Sequence, residues 1–335
     1  MATIKDIARE AGVSVASVSR YFNNKELLSK SACDAIEKTV NKYGYVPNSI
    51  GRSLRVARSG KILIVLPTLE NPMYLKIITA IENECYQYGY TALTCDTHRD
   101  AYKERYILSM LENHYADGAI LFSSCLSGEE LNSLSKKYPM VLCCEQRHDA
   151  NLSGVSIDDH AAALEATEHL INKGHKNIAM ASGMDAYGST ALREQGFCDA
   201  LKKHGLDAGL NKILRGHYGF NSGMEAVERL SALEEMPTAL VCISDAVAIG
   251  AMRKALLMGK SLAVVGFDNI ALAGVYLPEI TSVAQPRTLM GKTAMKMLLE
   301  LIENPRQQRQ KRFLPHQLVE RASTLQTIQA QGENK

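Results

Sequence analysis

Near the start of the chain apolar residues recur at helical spacing. In TIKDIAREAGVSVASVSRYF, Ile4, Ile7 and Ala8 share a face, Thr3 is placed to cap the free N–H groups of the first turn, and Gly12 ends the run. Ser14 then caps a second stretch in which Val15, Val18 and Tyr21 or Phe22 lie on one side. Two short helices joined by A-G-V-S make a helix-turn-helix, with glycine supplying the backbone freedom of the tight turn and Val13 directed inward. The same spacing predicts a third helix over 31–43, where Ala35, Ile36 and Val40 close a three-helix core.

From Lys61 the pattern changes. Apolar runs (KILIVLP, YTALTCD, DGAILFSS, PMVLCCE) alternate with amphipathic helical stretches such as PMYLKIITAIENECYQYG and AYKERYILSMLENH, and a helix is predicted around 128–137. Strands that are apolar throughout, with helices between them, imply a parallel sheet covered on both faces. The alternation restarts at KNIAMASG and continues through PTALVCIS and LAVVGFDN. Two such series side by side make a cleft, and ligands bind beyond the carboxyl ends of the strands. Asp96, closing the second strand, and Asp158, near the passage from one series to the other, are candidate ligand groups on that ground.

Composition narrows the class. The 335 residues, 46% hydrophobic and 22% charged, fit a multi-domain globular chain. The net charge of +2 hides an asymmetry: residues 1–58 carry +5 and the remainder −3, a basic head on a mildly acidic body, as expected of a nucleic-acid module joined to a separate one. No apolar run approaches the roughly 18 residues of a membrane span, and Lys5, Asp6, Arg9 and Glu10 stand where a signal peptide is apolar, so a cytoplasmic, nucleoid-associated protein with no membrane partner is expected. The cysteines at 33, 85, 95, 125, 143, 144, 198 and 242 form no CxxC pair and sit mostly in apolar runs, which reads as buried reduced thiols; no His/Cys cluster implies a metal, and no cofactor is expected. GxSxG, GxGxxG and P-loop motifs are absent, which argues against an enzyme. A secreted sugar-binding protein would share the core but not the head.

The strings TIKDIAREAGVSVASVSRYFNN, YGYVPNSIGRSL, GFDNI and ITSVAQPR together resemble the LacI/GalR family of bacterial repressors along nearly the whole chain. The resemblance implies an all-α helix-turn-helix head plus an α/β core of two doubly wound parallel-sheet subdomains of periplasmic-binding-protein type. The expected layout is a head over 1–46, a hinge helix and linker over 47–58, and an effector-binding and dimerisation core over 59–335. Within the core, a first subdomain takes about 59–158 and 286–312, and a second about 159–285 and 313–328.

Residue by residue, the family pattern places Val15, Ala16 and Arg20 at base-reading positions. Arg20 can make the bidentate contact to guanine, with a phosphate contact as its alternative, while Val15 and Ala16 offer only apolar contact. Thr3, Ser14, Ser17, Ser19 and Asn23 read as phosphate-positioning or capping groups. The 47–55 segment resembles the hinge helix that forms on DNA: Asn48 and Gly51 belong to it, and Leu54 matches the leucine wedged into the minor groove. Gly51 stands where many members have alanine, which weakens the free hinge helix by about 1 kcal/mol.

In the core, the family pattern implies an effector site of Tyr74, Arg193 (from R-x-x-G-F), Asp245 (from SDAVAIG), Tyr218 and Phe220, joined by Asp96 and Asp158. Alternatives stand beside three of them: Tyr74 as core packing, Arg193 as an ion-pair partner, Asp245 as a helix cap. A carboxylate, a guanidinium and aromatic faces suit a sugar or nucleoside. The GRSL, LENPMY, GFDNIAL and ITSVAQPRTLMGKTAM segments resemble the family's cytidine-repressor branch, which implies a nucleoside effector such as cytidine; hexose, ribose and purine remain the alternatives. The partners expected are palindromic operator DNA, the effector and a second copy of the chain, a homodimer rather than a tetramer because no heptad tail follows Leu325.

Overall fold

The computed structural model describes residues 2–45, 58–184, 188–206 and 212–325, and the chain divides into two compact units at Ser59/Gly60. In the first unit α1 (Ile4–Glu10), α2 (Val15–Asn23) and α3 (Lys30–Tyr43) close on Ile7, Ala8, Val18 and Ile36. Each start is capped by the residue before it. Thr3 accepts from the Asp6 N–H while the Asp6 carboxylate accepts from the Thr3 N–H, Ser14 accepts from the Ser17 N–H at 3.0 Å, and Ser29 does the same for α3. Gly12, at φ +65°, makes the turn between α1 and α2, and Gly44, at φ +57°, ends α3. The third helix begins one residue before the predicted 31 and buries Thr39 more fully than Val40.

The second unit contains two sheets. In chain order its elements are β1 (Lys61–Leu66), α4 (Met73–Gln87), β2 (Thr91–Asp96), α5 (Ala101–Glu112), β3 (Gly118–Leu121), α6 (Gly128–Lys137), β4 (Met140–Cys143), β5 (Ser153–Ile157), α7 (Asp159–Asn172), β6 (Ile178–Gly183), α8 (Gly188–Lys203), β7 (Ile213–Gly216), α9 (Phe220–Ser231), β8 (Ala239–Cys242), α10 (Asp245–Leu257), β9 (Ala263–Asp268), β10 (Thr281–Ala284), α11 (Arg287–Glu303), β11 (Lys311–Leu314) and β12 (Gln317–Val319). The first sheet runs β11-β5-β4-β3-β1-β2, all parallel; the second runs β12-β10-β9-β8-β6-β7, parallel except for its edge strand β12. Largely apolar strands such as β1 beyond Lys61, β8 and β9 up to Asp268 are buried because helices cover both faces.

Three passages join the sheets: β5 to α7, β10 to α11, and β11 to β12. The last falls after Leu314, so all of β11 belongs to the first sheet, whereas the expected boundary at 312/313 would cut it. In each sheet the strand order reverses at one point, between β1 and β3 in the first and between β6 and β8 in the second, and a ligand crevice opens at such points. Among the described residues no helix is long and apolar enough to cross a membrane.

Candidate functional site

A cleft open to solvent lies where the two reversal points face each other. The first lobe contributes Asn71 and Tyr74 after β1, Arg99 after β2, Phe122 and Ser123 after β3, and Cys144 and Glu145 after β4. The second contributes Ser189 and Arg193 from α8, Tyr218 after β7, Ile243 and Ser244 after β8, and Asp268 at the end of β9.

Arg193 is almost fully buried. Its Nε donates to Asp159 Oδ1 and its Nη1 to the Ile243 carbonyl, each at 2.8 Å, and its guanidinium lies 3.9 Å from the centre of the Phe267 ring. Burial works to lower the pKa of this group; Asp159 and Asp268 outweigh it and hold the charge in place. Burial likewise pushes the Asp268 carboxyl up, opposed by Arg193 and by the Gln285 amide, which donates to Asp268 at 2.8 Å. Tyr74 packs edge-on against Phe122 with ring centres 5.0 Å apart, and desolvation pushes its hydroxyl up. Tyr218 shares a hydrogen bond of 2.7 Å with Thr190, and Gly183 leaves the room its ring occupies. Across the cleft, Arg99 covers the Tyr218 ring at 4.7 Å and Glu145 accepts from the Ser189 N–H at 2.9 Å.

Tyr74, Arg193 and Tyr218, expected at a ligand, thus line the cleft together. Asp245 does not. It is fully buried, its carboxylate accepts from Ser282 Oγ at 2.6 Å and from the Ile270 N–H at 2.8 Å, and the cap of α10 is Ser244 rather than Asp245. Burial pushes its carboxyl up to about 8. The second-lobe carboxylate in the cleft is Asp268, which the GFDNI string contained without marking.

Asp96 is also displaced from the lining: it accepts from the Leu69 N–H at 3.0 Å and the His98 N–H at 2.7 Å, and so ties the loop after β1 to the turn that carries Arg99. Asp158 caps α7 by accepting from the Ala161 N–H, and the buried residue beside it, Asp159, faces Arg193 instead. Phe220 opens α9 half-exposed, outside the lining. Arg99, Phe122, Glu145 and Asp159 carried no signal beyond their places just after strands.

On the head, Ala16 and Arg20 are exposed one turn apart on α2, Val15 is half-buried against the head core, and Ser17 hydrogen-bonds Ser14. Thr3 and Ser14 are engaged as caps. Asn48, Gly51, Leu54 and the side chain of Asn23 lie outside the described residues. Among the described residues no three His, Cys, Asp or Glu side chains converge as a metal site.

A helix-turn-helix head followed by a two-lobed cleft defines a ligand-controlled DNA-binding regulator. Residues 3–48 match the model of bacterial regulatory proteins of the lacI family, and residues 59–322 match that of periplasmic binding proteins and the sugar-binding domain of the LacI family. The chain is 33% identical over 331 residues to the HTH-type transcriptional repressor CytR of Escherichia coli, covering 96% of each chain, and 32% identical to catabolite control protein A of Priestia megaterium, covering 96% of this chain and 99% of that one. It is 33% identical over 310 residues to the repressor PurR of Haemophilus influenzae. In fold it is similar to the lac repressor dimer bound to operator and the anti-inducer ONPF, with a TM-score of 0.85 at 23% identity over 97% of this chain and 99% of that one. The chain belongs to the LacI family, as a transcriptional repressor with a ligand-binding domain.

Proposed function

We propose that this repressor binds a palindromic operator as a homodimer and that its cleft takes an uncharged nucleoside, a pyrimidine nucleoside such as cytidine, whose binding weakens the operator complex. The observation that carries this reading is the composition of the cleft: Tyr74 and Phe122 on one lobe face Arg193 and Asp268 on the other. A flat base suits the aromatic side, and ribose hydroxyls can donate to Asp268 and accept from Arg193. The charges that line the cleft, Arg99 and Arg193 against Glu145 and Asp268, balance, which favours an uncharged ligand over a nucleotide. Arg20 supplies the long donor for base-edge readout, and Ala16 beside it an apolar contact.

An effector that prefers one closure of the cleft shifts operator affinity, and the operator shifts effector affinity reciprocally. Calorimetric titration of the full chain with cytidine, uridine, adenosine, ribose and galactose tests the effector. Heat from cytidine, with release of operator DNA in a parallel gel shift, supports the reading; heat from galactose alone overturns it in favour of a sugar-responsive repressor.

A further inference from the structure

Two other sulfur atoms lie against Cys144 at the wall of the cleft. Cys143 ends β4 and is fully buried; Cys144 follows it and lines the cleft; Met290 sits in the first turn of α11. Cys144 Sγ lies 3.7 Å from Cys143 Sγ and 3.0 Å from Met290 Sδ. Neighbouring side chains of a strand point to opposite faces, so two adjacent cysteines do not ordinarily bring their sulfurs together. Here the alternation breaks because Cys144 takes a left-handed backbone, φ +64°, which costs a non-glycine residue about 1–2 kcal/mol. Strain of this kind clusters at ligand clamps.

We infer that Cys143, Cys144 and Met290 form a binding site for a soft monovalent metal ion, Cu(I). Two thiols and a thioether are the ligand set that selects this ion over harder cations, which prefer oxygen and imidazole. At a metal–sulfur distance of about 2.3 Å, sulfurs 3.7 Å apart subtend about 107° at the metal, so the two cysteines close on one ion with little movement. The Met290 thioether, 3.0 Å from Cys144 Sγ, must draw back by about 0.7 Å to reach the same separation and become the third ligand.

Binding breaks the two S–H bonds, forms two copper–thiolate bonds and one dative bond from the thioether, and releases both protons to the buffer; copper remains monovalent throughout. An occupied site ties the end of β4 to the start of α11, immediately after the Gln285–Pro286 passage between the lobes.

The test is an anaerobic titration of the full chain with Cu(I) against a bicinchoninate competitor. One Cu(I) retained per chain is expected, with affinity lowered by about tenfold or more in Cys144→Ser and Cys143→Ala, less in Met290→Leu, and unchanged in Cys198→Ala, whose thiol lies on α8 away from the cluster. X-ray absorption at one equivalent is expected to show sulfur scatterers only. If Cys143→Ala does not fold, Cys144→Ser and the absorption spectrum decide. No retained copper, equal retention by Cys144→Ser, or a shell of nitrogen and oxygen overturns the site.

Discussion

Arg193 and Asp159 meet at 2.8 Å with side chains 9% and 2% exposed, joining α8 to α7 at the wall of the cleft. The pair sits where water cannot compensate either charge, so each partner depends on the other. Arg193→Ala leaves the Asp159 carboxylate buried without its cation and the Ile243 carbonyl without its donor. A loss of about 3–5 kcal/mol in urea unfolding of the core is expected. A loss below about 1 kcal/mol would mean that water reaches Asp159.

Asp245 makes stability depend on pH. Its folded pKa, raised to about 8, lies above the ordinary 3.8, so the protonated form is the one that folding favours. The stabilisation is therefore complete below about pH 4 and is lost as pH rises toward 8, because the unfolded chain ionises first. Asp245→Asn keeps the shape and removes the ionisation. The fall in urea midpoint between pH 5 and pH 8 is expected to be shallower in the variant than in the parent chain; equal slopes would show that Asp245 does not carry it.

Asp268, in place of Asp245, is the second-lobe carboxylate facing the cleft. Asp268→Asn should weaken cytidine binding by about tenfold or more, the worth of a charge-assisted hydrogen bond, while leaving operator affinity without effector close to that of the parent. Undiminished calorimetric affinity in the variant counts against the residue.

At the head, Arg20→Ala should cost about 1–3 kcal/mol on the specific operator with little change on random DNA. Equal losses on both, in titrations at one salt concentration, identify Arg20 as a phosphate contact instead.

The head and the long strands were legible in the sequence because their signals are local. Thr3 and Ser14 stand where an N-cap must, and apolar runs such as KILIVL bury on both faces wherever they pair. The short strands β7 and β12 were not, since ILRG and QLV are only partly buried and carry no alternation. The choice between Asp245 and Asp268 was hidden for a different reason: both follow or end a strand, and which one enters the cleft depends on the turn at Asp268 and Asn269, both at positive φ, a conformation that FDN does not announce. Asp158 and Asp159 differ by a single step around a helix start, and side-chain direction there follows from the cap rather than from composition.

The threefold passage between the sheets has a consequence for synthesis. On one side β5 pairs with β11, α11 packs on the first sheet, and β12 with the Thr281–Thr324 contact closes the second. The pieces that complete the first lobe therefore emerge from the ribosome after almost all of the second lobe, whose own edge strand comes later still. A nascent chain carries all three helices of the head long before either lobe can close, so the head is complete while the cleft does not yet exist.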